Sequence, residues 1–261
     1  MVIQKVLDTQ HIVQQISDIL LMNGGFLNNP GLYAGEMGLV LFFTRYARFT
    51  NNDVYSDYSC NLIDKMQNRI HRETPLNYKH GLAGIGSAIE YLAQNGFLEA
   101  DTDEILEDFD KRLFYTYNIC NLPSDEILDI GYYTIWRMSG NSSHKNMMRY
   151  TILPSLMDAM REQCMSEDFV IFKKIMTLPD SFIISELQKM RLMKIPNGYW
   201  EHVESYYLEY IEKGKGNIHL GLQGGLTGCG ISLLTKLDRD DTWISLLPNN
   251  YYLINDELIP V

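Results

Sequence analysis

Gly31-Leu-Tyr-Ala-Gly35-Glu-Met-Gly38-Leu-Val-Leu-Phe-Phe43 is the stretch on which the fold turns: spaced glycines, then an apolar run. The pattern recurs. Gly81-Leu-Ala-Gly84-Ile-Gly86 leads into an apolar run ending at Leu92, and Gly225-Leu-Thr-Gly228-Cys-Gly230 leads into Ile231–Leu234. A worn copy, Asp129-Ile-Gly131-Tyr-Tyr, is followed by Ile135 and Trp136. Gly38 and Gly84 lie 46 residues apart, and Gly84 and Asp129 lie 45 apart. The 99 residues from Asp129 to Gly228 are close to two such units. About 45–50 residues hold two helices and their connections, so the period predicts a repeat of helical hairpins. Each hairpin pairs an apolar helix behind glycines with a more polar, amphipathic one.

The segments between the glycine clusters agree. His11–Met22, Asp53–Ile70, Thr102–Tyr117, Met147–Met160 and Asp180–Met193 carry apolar residues at helical spacing. Asp168–Phe172 is a weak exception that alternates as a strand would. Prolines fall mostly between these segments or near their ends, and there is no Gly/Ser linker or low-complexity tract. The expectation is an all-α chain forming one domain over residues 1–261, its apolar helices converging as an α/α toroid or an arc of one.

Composition removes several classes of function. An apolar fraction of 46% in 261 residues supports a folded core and excludes disorder as the main state. With 33 acidic against 22 basic residues the net charge is −11, the wrong sign for a phosphate-backbone binder or for an anionic membrane surface. No uninterrupted apolar run is long enough to span a bilayer, and no basic region precedes the Ile16–Met22 run as it would in a signal peptide. Cys60, Cys120, Cys164 and Cys229 lie far apart with no CxxC pair, which predicts reduced thiols and a cytoplasmic setting.

Glycine ahead of an apolar helix permits a positive φ or a close approach of neighbouring backbones. If the helices share one end, their unpaired N–H groups and dipoles would favour an anion there.

These segments resemble the lanthionine synthetase C-like (LanC-like) family. Gly31, Gly35 and Gly38 with the following Leu-Val-Leu-Phe-Phe are similar to its opening repeat. His80, Gly81, Gly84 and Gly86 with Ile89–Leu92 are similar to the next, and Asp129–Arg137 to a worn third. Gly225, Gly228 and Asp241-Thr-Trp243 resemble the closing repeat. The resemblance implies an α/α toroid. It implies a peptide substrate or a protein of a peptide-modification pathway as partner. For the family's enzymes it implies addition of a cysteine thiol to a dehydrated residue, using zinc held by two cysteines and a histidine. The family's Cys-His-Gly ligand pair is missing: no cysteine here is followed by histidine. The chain is also shorter than a full-length family enzyme, with the shortfall between Asp129 and Gly228. The expectation is therefore no cofactor, no metal, and a peptide-binding or degenerate member without the zinc-dependent cyclase step.

Candidate site residues follow from type and place. His80 and His219 each lie close to the start of an apolar helix and could serve as an acid or base, or simply cap and pack. Asp129 replaces a repeat glycine, with Glu126 ahead of it, as a helix cap or a cleft carboxylate. Trp200-Glu201-His202 joins a ring, a carboxylate and an imidazole, a mixture suited to a sugar or peptide cleft, or to an ordinary helix start. A zinc set of Cys229 with His219 or His80 has no spacing to support it. Two other readings stand beside the peptide-binding one: a glycoside-processing enzyme on an α/α-toroid scaffold, and a scaffold protein with a filled axis.

Overall fold

A computed structural model describes residues 2–115, 122–163, 167–192 and 219–248, with 195, 198, 199, 202, 203, 205, 207 and 208 between them. All regular elements among these residues are helical. The chain divides into two compact units. One takes Met1–His71, Lys194–Thr242 and Asn250–Val261; the other takes Arg72–Met193 and Trp243–Asn249.

In the first unit, α1 (Val2–Asn23) packs on α12 (Leu226–Asp238), α12 on α2 (Glu36–Thr50), and α2 on α3 (Asp53–Gln67). Helix α2 is buried nearly all round, from Glu36 through Phe43 and again at Arg45, Tyr46 and Ala47. An apolar helix of this kind must sit inside a core. Asn51 ends it in the left-handed conformation at φ 52°, a role its short polar side chain tolerates. Asn52 starts α3 by accepting a hydrogen bond from the Val54 amide. Helix α3 buries only Ser59, Leu62 and Met66, a single stripe, so it acts as a cover.

The second unit repeats the scheme. Helices α4 (Leu82–Gln94) and α7 (Ser124–Ser139) are buried nearly all round and pack on each other. Short α5 (Thr102–Ile105) and α6 (Glu107–Tyr115) flank α4, while α9 (Leu153–Gln163), α10 (Glu167–Met176) and α11 (Asp180–Leu192) pack on α7. A one-turn α8 (Lys145–Met147) enters α9 through a π turn at Met148–Ile152. Pro154 explains the widening, since it offers no N–H to the Tyr150 carbonyl and its ring crowds that group.

Two local expectations are corrected. Asp168–Phe172 is helical: Asp168, Ile171, Phe172 and Ile175 are buried while Val170 is exposed, which is the helical period. Thr102–Tyr117 is broken at Leu106, and the Asp101 carboxylate caps the first piece by accepting from the Asp103 amide. The all-α expectation is borne out.

Candidate functional site

Three loops are built alike. Gly35, Gly81 and Gly225 each stand one residue ahead of a buried helix, at φ −134°, −128° and −131° with ψ near ±180°. Such extended backbone is open to any residue, so positive φ is not what demands glycine here. Close approach does. A Cβ on Gly35 would lie 2.2 Å from the Asn29 carbonyl oxygen, one on Gly81 2.0 Å from that of Pro75, and one on Gly225 2.7 Å from that of His219. Each loop thus folds back on its own helix start. The Glu36 amide donates to the Asn29 carbonyl (2.8 Å), Leu82 to Pro75 (2.9 Å), and Leu226 to His219 (2.8 Å). Ala83 and Thr227 donate to Leu76 and Leu220 at 3.1 and 3.4 Å. Amides expected to be free for an anion are therefore already satisfied by loop carbonyls.

The next glycine of the first and last motifs answers to the same packing. A Cβ on Gly38 would meet the Leu32 carbonyl oxygen at 2.7 Å, and one on Gly228 that of Leu222 at 2.0 Å. The next glycine seats a ring. Gly86 lies under Tyr133, Gly131 under Phe172 and Gly230 under Phe42, each so closely that a Cβ would fall 2.2–2.7 Å from the ring.

Asp129 is not a cap. Helix α7 begins five residues earlier, at Ser124, because Asp125 and Glu126 suit its positive end and Pro123 precedes it. Asp129 is instead buried mid-helix, where its Oδ2 accepts from the Tyr78 amide at 2.9 Å. Tyr78 stands six residues before Gly84, as Leu222 stands six before Gly228. The Leu222 amide donates to the backbone carbonyl of Tyr33 at 2.7 Å. The Asp129 side chain therefore replaces a carbonyl of a loop that α7, extended at its start, does not have. Burial, reinforced by Asp125 and Glu126, pushes its carboxyl up to about 7, against the pull of the Tyr78 amide and Lys79.

The other candidates separate by unit. His80 is partly buried on the 75–81 loop, two residues from the Asp129 contact, and its amide donates to Asn77 Oδ1 at 2.8 Å. Burial and Lys79 lower its pKa, keeping the ring neutral. His219 presents an exposed side chain, and its carbonyl is the acceptor for Leu226. His202 donates its amide to Gly198, and its Nε2 is buried with no hydrogen-bond partner among the described residues. Glu201, Trp200, Cys120 and Cys164 lie outside the described residues.

The family's zinc finds no fitting donor set among the described residues. No three His, Cys, Asp or Glu side chains there are grouped to hold a metal ion. Cys60 is exposed on α3, and burial pushes the Cys229 thiol on α12 up to about 12, which keeps it protonated.

Sequence reading overlooked two buried arginines. Arg137, fully buried on α7, pairs with Glu90 of α4, Asp103 of α5 at 2.7 Å and Asp110 of α6 at 2.8 Å. Burial raises the Glu90 pKa against the pull of Arg137. Burial also opposes ionisation of Asp103, but hydrogen bonds from Ser143, Ser142 and Arg137 hold its pKa well below the usual carboxylate range. Arg45 on α2 pairs with Asp238 of α12 at 2.8 Å and also reaches the Asp240 carbonyl and Thr235. The signal for both was an arginine in the later half of a helix, soon after an apolar run.

The model of one family, the lanthionine synthetase C-like proteins, matches residues 27–116. That stretch runs from just before the first glycine loop through the second and on to the end of α6, so the resemblance read from the motifs is borne out there. The family's fold is an all-helical α/α toroid, and every regular element among the described residues of this chain is helical. No curated protein and no solved structure matches the chain. No helix among the described residues is long and apolar enough to cross a membrane.

Proposed function

We propose that this chain is a LanC-like peptide-binding protein of a cytoplasmic peptide-modification pathway, working without zinc-dependent thioether formation. On this reading residues 1–261 form a single LanC-like domain. The family match over 27–116 carries the proposal. The protonated, buried Cys229 and the lack of a fitting donor group among the described residues support the loss of the cyclase step. Without a metal to stabilise a thiolate, a peptide cysteine at neutral pH stays mostly a thiol and adds slowly to a dehydrated residue.

The test is a peptide carrying one cysteine and one dehydroalanine, incubated with the purified chain. Thioether formation leaves the peptide mass unchanged, so cyclisation is read as loss of alkylatable thiol. The expected result is saturable binding, no bound zinc by elemental analysis, and full alkylation. Stoichiometric zinc with loss of alkylation would make the chain a cyclase, and absence of binding would remove the peptide-binding reading.

A further inference from the structure

We propose that the Asp129–Tyr78 contact is a proton-controlled latch: protonated Asp129 keeps the 75–81 loop seated on α7, and ionised Asp129 releases it. The geometry comes from the contrast between two equivalent rungs. In the first unit the Leu222 amide is held by a backbone carbonyl, that of Tyr33, at 2.7 Å. In the second the Tyr78 amide is held at 2.9 Å by a carboxylate. A carbonyl accepts at every pH, whereas a carboxylate buried to 4% exposure acquires a charge that draws it toward water.

The surroundings favour release. Asp125 and Glu126, one turn back on α7, repel the ionised form. Lys79 on the loop opposes them. Arg191 of α11 acts on the Tyr78 hydroxyl, and other charges on neighbouring elements are engaged elsewhere. Glu90 of α4 is held by Arg137, Arg149 of the π turn by Asp180, and Asp158 of α9 by Arg161. Asp168 of α10 accepts from the Tyr132 hydroxyl, and Arg191 of α11 lies over the Tyr132 ring at 5.0 Å. With the Asp129 carboxyl near 7, the balance tips around neutrality. The loop that moves carries His80 and supplies the Pro75 and Leu76 carbonyls that hold the start of α4.

Amide hydrogen exchange of the whole chain tests the latch. The 219–227 loop, whose Leu222 rung is held by a backbone carbonyl and involves no carboxylate, is the internal reference, because intrinsic exchange scales alike in both segments. From pH 6 to pH 8 the ratio of exchange in 75–83 to that in 219–227 is expected to rise about tenfold, the change in protonated fraction across a midpoint near 7. In Asp129→Asn, whose amide oxygen still accepts from Tyr78, the ratio should stay flat. A flat ratio in the unaltered chain overturns the proposal whether or not the variant folds. So does an equal rise in the variant.

Discussion

The two units solve one packing problem with different chemistry. Each sets a pair of buried helices side by side, seats a ring of one on a glycine of the other, and ties their later halves with an arginine. In the first unit the ring is Phe42 on Gly230 and the tie is Arg45 to Asp238. In the second the ring is Tyr133 on Gly86 and the tie is Arg137 to Glu90. The rings come from equivalent places, four residues beyond Gly38 and four beyond Asp129. The difference lies in charge. The first unit leaves the acids of its arginine tie partly exposed, buries one carboxylate, Glu36, against Lys65 and Arg69, and keeps its loop rung in backbone. The second places three carboxylates on one guanidinium and a fourth on the loop rung. The carboxylate on the loop rung makes the second unit the place where pH should act on a loop contact.

The largest effect should come from the arginine ties. Arg137→Ala leaves Glu90, 1% exposed, without its cation, and removal of one partner from a buried pair costs about 3–5 kcal/mol. Arg45→Ala should cost less, about 1–3 kcal/mol, because Asp238 and Asp240 are 20% and 34% exposed and can turn to water. Urea unfolding of both variants gives the comparison, and equal losses would erase the distinction between the units.

Next comes pH. Asp129 is raised above its unfolded value, so the folded state holds the extra proton. Its contribution is fully present below pH 4 and is lost as pH rises through about 7. The loss should be on the order of 2–4 kcal/mol between those limits. Denaturation midpoints at pH 5 and pH 8 should converge in Asp129→Asn relative to the unaltered chain. A variant as pH-sensitive as its parent would show that other groups carry the dependence.

The smallest contrast is between glycines. Gly81→Ala and Gly225→Ala both push a methyl against backbone oxygens, and each should lose about 2–3 kcal/mol. Gly25→Ala, with nothing within 4 Å, should be nearly neutral. Thermal melts of the three variants rank them, and a neutral Gly81→Ala would mean that the 75–81 loop gives way where its counterpart does not.

The fold was legible where the sequence repeats itself. Three copies of the same glycine spacing marked three loops of the same geometry, and the registration of Asp129 with Gly84 survived, since Gly131 seats a ring just as Gly86 does. What the pattern did not carry was the use of each position. Asp129 read as a cap or a cleft carboxylate because helix starts are judged from local residues, while its partner lies 51 residues earlier in the chain. The helix break at Leu106 was hidden because both halves keep the same apolar period. Arg45 and Arg137 were visible as residues, but their acids come from helices that only folding brings near. Of the site candidates, Asp129 holds the loop that carries His80, while His202 and His219 belong to the other unit.

The ring seats constrain how this sequence can drift. A methyl on Gly86 needs the space that Tyr133 fills, while trimming Tyr133 alone leaves a void beneath it. Each change is costly alone and partly forgiven in company, so the two positions are expected to change together. The same bargain holds for Gly131 with Phe172 and for Gly230 with Phe42. Far apart in the chain, these pairs are where correlated change between related sequences should be sought first.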